Sequence, residues 1–227
     1  MSLIKRSMPF YRRNLPHLQY NSGYYFVTFR LYGSIPVNVI QKLKSYRRSL
    51  KKKLKNEDIK EFRHNLEMKL FLKFESFLDR NLNGPYRLEK NDIASVVKKS
   101  IHFRDHKLYD LYAYCIMPNH VHMVFSLLNQ DKEPEETDNN FYNPKDFPVT
   151  EILGNLKKYT SGKCNKILKR SGHFWQAESF DRLIRDNSEL ENCILYTLYN
   201  PVKAKLVSDW KQWPHSYCKE KFLESMS

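Results

Sequence analysis

The sequence between residues 108 and 127 reads LYDLYAYCIMPNHVHMVFSL, and it decides the predicted fold. Two runs of β-branched and aromatic residues, Leu108 to Met117 and His120 to Leu127, flank Pro118-Asn119, which is typical of a tight turn. The pattern therefore predicts two antiparallel strands joined as a hairpin.

The segment before this hairpin predicts one strand and three helices. A first strand is indicated by Tyr24 to Arg30, which follows the turn pair Ser22-Gly23. From Val37 to about Asn81 apolar residues recur at three and four positions, which predicts two helices broken near Asn56-Glu57-Asp58. Asp92 to His102 predicts a third helix with Asp92 as its N-cap.

The segment after the hairpin begins with residues 129–147, which are polar, locally acidic and rich in Asn and Pro, and this composition predicts a loop. A basic helix over Ile152 to Leu168, a strand over His173 to Ile184 and a helix over Ser188 to Tyr199 follow. Asn200-Pro201 is predicted to end the last helix. This order predicts one α+β domain over 1–227, an antiparallel sheet with helices packed on it and a helical insertion at about 37–82.

The composition is strongly basic. There are 39 Lys and Arg against 25 Asp and Glu, which gives a net charge of +14, and such a surface attracts polyanions. The four cysteines are widely spaced without a C-x-x-C pair, so neither a zinc ribbon nor a disulfide framework is indicated. Without a long apolar stretch or a secretory signal at the start, we expect a cytoplasmic protein with no membrane partner.

His120 and His122 are the first candidate site residues. Side chains alternate along a strand, so both imidazoles project from one face and Val121 from the other. Two neutral imidazoles on one face can hold a divalent cation. A bare H-x-H pair occurs more often as two ordinary half-buried histidines, so the pair alone favours that interpretation and only its sequence context favours a metal site.

Tyr196 and Asn200 are four residues apart and therefore lie on one helix face, with Asn200 at the predicted C-terminal end. A phenol and an amide oxygen can then face the same site. The chain has 15 tyrosines, and position alone does not favour Tyr196 over Tyr159 or Tyr199.

Several motifs together resemble the single-tyrosine HUH transposases, and most closely their REP-associated tyrosine transposase branch. M-P-N-H-V-H is similar to the histidine-hydrophobic-histidine motif of that family. The other matching segments occur in the same order as in the branch: Tyr11-Arg12-Arg13, Phe174-Trp175-Gln176, Phe180-Asp181, Leu183-Ile184-Arg185-Asp186, and Tyr196 through Asn200-Pro201-Val202-Lys203-Ala204.

The resemblance implies a ferredoxin-like or RRM-like sandwich and a metal-dependent enzyme that cleaves and rejoins single-stranded DNA beside hairpins. It implies that Tyr196 is the nucleophile that forms a 5′-phosphotyrosine. It further implies that His120, His122 and Asn200 bind Mg²⁺ or Mn²⁺. The phosphotyrosine ester keeps the bond energy, so no nucleotide cofactor is expected, and the chain has no G-x-x-x-x-G-K-[ST] loop.

Tyr159 is the alternative nucleophile, because it lies in a basic predicted helix where a phosphate would be attracted. The residue four positions after it is Lys163, which is not a metal ligand. The helix-face geometry and the motif match therefore favour Tyr196.

DNA contacts are expected from basic residues on and after the same helix. These are Lys157, Lys158, Lys163, Lys169, Arg170, Arg182 and Arg185. Phe174 and Trp175 could stack on unpaired bases, although packing in the core suits a tryptophan better. By resemblance, Tyr11, Arg12 and Arg13 read a short sequence beside the hairpin.

The expected partner is single-stranded DNA with hairpin or palindromic repeats, bound by a monomer or homodimer. Two other functions fit the same sequence. One is a non-mobile DNA-binding protein that keeps the fold without turnover, and the presence of all four candidate site residues argues against it. The other is a regulatory module that binds single-stranded RNA, because a sheet bearing aromatics suits that ligand too.

Overall fold

The computed structural model describes residues 10–12, 16–18, 22–53, 69, 71, 73, 74, 76–78, 84–128 and 147–223. The predicted helix break near residues 56–58 and all but the last residue of the predicted loop at 129–147 lie outside this range. Among the described helices, none is long and apolar enough to cross a membrane.

The centre of the molecule is a five-stranded antiparallel sheet with the spatial order β6-β3-β5-β4-β7. Its strands are β3 (Tyr24–Arg30), β4 (Tyr109–Ile116), β5 (His120–Leu127), β6 (Phe180–Ile184) and β7 (Ser216–Cys218). A separate two-stranded hairpin comprises β1 (Phe10–Arg12) and β2 (Pro16–Leu18). The predicted first strand and the predicted central hairpin are both confirmed.

Five α-helices accompany the sheet in the described residues. They are α1 (Val37–Lys53), α2 (Asn91–Arg104), α3 (Pro148–Ile167), α4 (Asn187–Lys203) and α5 (Glu220–Leu223). The described positions between residues 69 and 78 are also helical. The series β3-α2-β4-β5-α3-β6 has the spatial strand order β6-β3-β5-β4, which is the ferredoxin-like arrangement that the sequence led us to expect.

The two faces of the sheet are covered by different helices. Tyr25, Val27 and Phe29 of β3 point toward α2 and α3 and belong to the larger apolar core, on what we call the α2/α3 face. Phe26 belongs to a second apolar cluster that includes α4 residues such as Ile194 and Leu198, on what we call the α4 face. The alternation along β3 therefore places these four side chains in two separate cores.

The predicted strand over His173 to Ile184 is too long, because only Phe180–Ile184 is a strand. Trp175 forms an isolated bridge with Leu31, and the chain then leaves the sheet. The backbone carbonyls of Gln176 and Ala177 accept hydrogen bonds from the Lys157 ammonium at 3.0 and 3.1 Å. A lysine side chain thus binds carbonyl groups that a continuous strand would use in its ladder.

Two predicted helix ends are also wrong. Lys90, not Asp92, is the N-cap of α2, and the Asp92 carboxylate accepts a hydrogen bond from the next backbone N–H, that of Ile93. Pro201 does not end α4, which continues to Lys203. A proline in the last turn removes only one donor, and the turn is closed by bonds from Ala204 N to Asn200 O and from Leu206 N to Pro201 O.

All four cysteines are free and buried, in agreement with the expectation of no disulfide framework. Their burial raises the pKa of the Cys115 and Cys164 thiols to about 12. These thiols are therefore protonated packing groups at neutral pH.

Candidate active site

The two histidines of β5 lie side by side on the α4 face. His120 and His122 are 1% and 0% exposed, and their Nε2 atoms are 2.9 Å apart. Two nitrogen lone pairs this close repel each other unless a proton or a cation lies between them. The strand geometry therefore produces a pair of imidazoles that is suited to share one positive ion.

The opposite nitrogen of each imidazole is held by a neighbouring polar side chain. Asn119 Oδ1 lies 2.6 Å from His120 Nδ1, and Thr28 Oγ1 lies 2.8 Å from His122 Nδ1. Since a carbonyl oxygen only accepts, His120 carries its proton on Nδ1 and directs the Nε2 lone pair toward His122. Hydrogen bonds of this kind fix the ring orientation of metal-binding histidines.

Asn200 of α4 completes the cluster. Its Nδ2 atom lies 3.0 Å from His122 Nε2, and its Oδ1 atom is buried without a hydrogen-bond partner among the described residues. The oxygen and nitrogen of an amide are nearly indistinguishable in shape, so a half-turn of the side chain places the carbonyl oxygen against the histidines. A cation bound there would then give the buried Asn200 Oδ1 atom a partner.

This donor set fits a divalent metal ion. His120, His122 and Asn200 offer two imidazole nitrogens and one amide oxygen, which leaves coordination positions for a substrate, as catalytic metal sites require. Burial lowers the pKa of His120 well below 6.5, and the neighbouring His122 and Lys203 lower it further. The imidazole is therefore neutral at pH 7, the state in which it binds metals.

Tyr196 lies directly beside this cluster. Its half-buried ring is 5.6 Å from the His122 ring, 5.9 Å from Phe26 and 5.7 Å from Phe71, measured between centroids. Asn200 follows one turn later on the same helix. The structure thus brings Tyr196 together with the three candidate ligands, as the helix-face spacing led us to expect.

The two alternative tyrosines, Tyr159 and Tyr199, do not contact the cluster. Tyr159 lies on α3, on the opposite side of the sheet, and is 52% exposed, with Lys163 Nζ 5.9 Å from its ring centroid. Tyr199 is on α4 but is 51% exposed, because a shift of three positions from Tyr196 turns it toward solvent.

The basic residues that were expected to bind DNA have diverse surroundings. Lys157 is buried, and its ammonium also donates to Ser179 Oγ at 2.5 Å. Arg182 is buried in an ion pair with Glu189, and Arg170 donates to Asn165 Oδ1 at 2.7 Å. The remaining members of the set are exposed, namely Lys158, Lys163, Lys169 and Arg185.

Two aromatic residues that were considered for base stacking lie in the core. Phe174 is 1% exposed and Trp175 is 5% exposed, and Trp175 Nε1 donates to Thr160 Oγ1 at 2.8 Å. The interpretation of Trp175 as a packing residue is therefore the one that the structure supports. Tyr11 and Arg12 lie on β1, whereas Arg13 and the side chains of this hairpin are outside the described residues.

A second cluster of possible ligands was not predicted from the sequence. Asp105, His106 and Asp110 have ligand atoms within 4.8 Å of one another. Both acids have other partners, because Asp105 Oδ1 accepts from the backbone N–H groups of His106 and Leu111, and Asp110 pairs with Lys219 at 2.6 Å. These contacts give the cluster a structural role, because they connect the end of α2 to β4.

Sequence reasoning also missed the residues that support the histidines. Thr28 is the cross-strand neighbour of His122, and this pairing depends on the register between β3 and β5. Asn119 directly precedes His120, so its adjacency was the signal that could have identified it. Lys203, whose Nζ lies 5.4 Å from the Tyr196 ring centroid, was missed because α4 was predicted to end before it.

The ferredoxin-like sheet is the fold that the resemblance to single-tyrosine HUH transposases implied. The structure also brings the histidine pair together with the helix that carries Tyr196 and Asn200. No family model matches the chain.

The chain is 30% identical over 131 residues to a Haemophilus influenzae protein named as a candidate REP-associated tyrosine transposase. The aligned region covers 56% of this chain and 66% of that protein, just under two thirds of its length. Over that aligned region the chain is similar to a protein of that name. A solved structure described as a REP-associated tyrosine transposase bound to a REP hairpin gives a TM-score of 0.47 at 16% identity, covering 95% of this chain and 82% of that chain.

Proposed function

We propose that this chain is a metal-dependent enzyme that cleaves and rejoins single-stranded DNA at hairpin-associated sites through a covalent link to Tyr196. The observation that carries the proposal is the convergence of His120, His122 and Asn200 beside the Tyr196 ring. The relationship to a protein named as a transposase agrees with it.

The chemistry follows from the problem that a phosphodiester poses. Its negative charge repels a nucleophile, and Mg²⁺ or Mn²⁺ held by His120, His122 and Asn200 would polarise the phosphate and offset that charge. The Tyr196 oxygen attacks phosphorus, the bond to the 3′ oxygen breaks, the phenol proton goes to solvent, and the leaving oxygen takes up a proton. The products are a 5′-phosphotyrosine and a free 3′-OH.

Rejoining is the reverse reaction, with a 3′-OH as the nucleophile and the Tyr196 phenol as the leaving group. The ester keeps the energy of the cleaved bond, so no nucleotide cofactor is needed. The protein contributes the positions of the reacting groups. Contacts with Phe26 and Phe71 restrict the Tyr196 ring, and Thr28 and Asn119 restrict the two imidazoles.

The substrate class follows from charge and access. The net charge of +14 suits a polyanion. Tyr196 is only partly exposed, so the DNA backbone must bend into the site, and an unpaired strand bends more readily than a stiff duplex. We propose single-stranded DNA next to hairpin or palindromic repeats as the partner, bound by a monomer or homodimer.

The test uses a palindromic oligonucleotide copied from the DNA that flanks the gene. With Mn²⁺ or Mg²⁺, the purified protein should nick this strand and form a covalent adduct, and it should leave the fully paired duplex intact. Equal cleavage of the duplex would contradict the proposal. Binding of DNA without cleavage would indicate the non-mobile binding protein, and preference for RNA of the same sequence would indicate the RNA-binding module.

A further inference from the structure

Lys203 lies on the same face of α4 as Tyr196 and Asn200. Asn200 is four residues and Lys203 seven residues after Tyr196, and seven residues are close to two full helical turns. This alignment exists only because α4 continues through Pro201 to Lys203.

The side chain of Lys203 reaches back along the helix to the candidate nucleophile. Side chains in an α-helix lean toward its N-terminus, and a lysine is long enough to span the distance. Its Nζ atom lies 5.4 Å from the centroid of the Tyr196 ring. Asn200, a candidate metal ligand, lies about one turn before Lys203 on the same helix. The Lys203 ammonium is thus close to the nucleophile, and its position on α4 is next to that of a candidate metal ligand.

The residue is exposed, whereas Asn200 and both histidines are buried. A cation at the open side of the cluster can meet an anion that enters from solvent. A phosphate placed for attack by Tyr196 must lie next to this ring and next to the histidines, within reach of the Lys203 side chain. A lysine is well suited to that position, because it is a compact and mobile point charge.

We propose that Lys203 is a further catalytic residue, whose ammonium contacts the scissile phosphate and neutralises its charge as Tyr196 attacks. This inference rests on the proposed function and adds a residue to the same site. It assigns Lys203 an electrostatic role that the metal ligands and the nucleophile do not supply.

The test compares Lys203→Gln with Lys203→Arg, and uses Lys205→Gln as the matched control because Lys205 is an exposed lysine two residues further on. The probe is the flanking palindromic oligonucleotide, in single-turnover reactions at saturating protein with Mn²⁺. We expect Lys203→Gln to lower the cleavage rate about 100-fold, Lys203→Arg to stay within about tenfold of the unmodified protein, and Lys205→Gln to leave the rate unchanged.

A second substrate separates contact with the phosphate from a structural role. The scissile linkage is replaced by a methylphosphonate, which lacks the negative charge that Lys203 is proposed to meet. On this neutral substrate the rate ratio between the unmodified protein and Lys203→Gln should fall from about 100 to near one, as in a double-mutant cycle. Lys203→Gln should still bind Mn²⁺ like the unmodified protein, which confirms an intact fold and metal site.

The outcomes are distinguishable. Cleavage by Lys203→Gln within about threefold of the unmodified protein would overturn the inference and leave the proposed function standing. An equal loss on the charged and the neutral substrate would also overturn it, because the effect would then be structural. Absence of any adduct with the unmodified protein would overturn the proposed function and the inference with it.

Discussion

The helices α3 and α4 carry the two candidate nucleophiles, Tyr159 and Tyr196, and lie on opposite faces of the sheet. On α3, apolar residues close the α2/α3 face, and Tyr159 points into solvent beside Lys163. On α4, Tyr196 points inward to His122 and lies one turn before Asn200. The comparison shows that a basic neighbourhood in sequence does not determine which side chains meet, because that depends on the face of the sheet to which each helix packs.

The largest expected effect comes from removing the imidazoles of the α4 face. Replacing His120 and His122 together by Ala should abolish Mn²⁺ binding and lower DNA cleavage by more than about 1,000-fold, since Asn200 alone cannot hold the ion. Isothermal titration with Mn²⁺ and a gel-based nicking assay measure the two effects.

The matched control for the histidine pair is His106→Ala, which removes the exposed imidazole of the cluster that also contains Asp105 and Asp110. We expect it to leave Mn²⁺ affinity and cleavage unchanged. If His106→Ala loses the metal and the double histidine variant keeps it, the metal centre has been assigned to the wrong side of the protein.

A smaller effect is expected from the residue that orients His120. Asn119→Ala removes the oxygen that accepts from His120 Nδ1, so the ring can turn or change tautomer. Mn²⁺ affinity should fall about 10-fold to 100-fold. Asn165→Ala is the control, because Asn165 lies on α3, where it donates to Gly172 O and accepts from Arg170. Equal affinities of both variants would show that the Asn119 contact does not support the site.

The smallest effects distinguish two neighbouring lysines of α3. Lys157→Ala leaves the carbonyls of Gln176 and Ala177 without their cation, and should lower the free energy of unfolding by about 2 kcal/mol. Lys158→Ala changes an exposed side chain, and should alter stability by less than about 0.5 kcal/mol. Urea denaturation of both variants measures this difference.

Lys157 and Lys158 also test whether α3 contacts the DNA phosphates. Lys157 is buried whereas Lys158 is exposed, so exchanging both for Ala should flatten the slope of log affinity against log salt by about 0.7 unit on a single strand, all of it from Lys158. An unchanged slope in Lys158→Ala would place the DNA away from α3.

Much of the fold could be predicted because strand and helix periods impose which side chains share a face. The two-residue spacing of His120 and His122, and the four-residue spacing of Tyr196 and Asn200, lead directly to the observed cluster. Their chemical roles remain proposals.

The features that could not be predicted depend on contacts between residues distant in sequence, or on a proline that the last turn of a helix accepts. Lys157 is buried because a loop 20 residues later presents carbonyl groups to it. Phe71 packs against Tyr196 across 125 positions, which no local pattern reveals. Lys203 was missed because a proline in a final helical turn costs little, whereas the same residue in a helix interior would break the helix.

The central claim is that the chemistry belongs to the α4 face, with Tyr196 as the nucleophile. The most direct measurement is a denaturing gel of the protein after incubation with 3′-end-labelled palindromic DNA and Mn²⁺, comparing Tyr196→Phe with Tyr159→Phe. Both changes remove only a hydroxyl group. We predict that Tyr159→Phe still carries the label and that Tyr196→Phe, although it binds the same DNA, carries none. Label on Tyr196→Phe together with its loss from Tyr159→Phe would contradict the account.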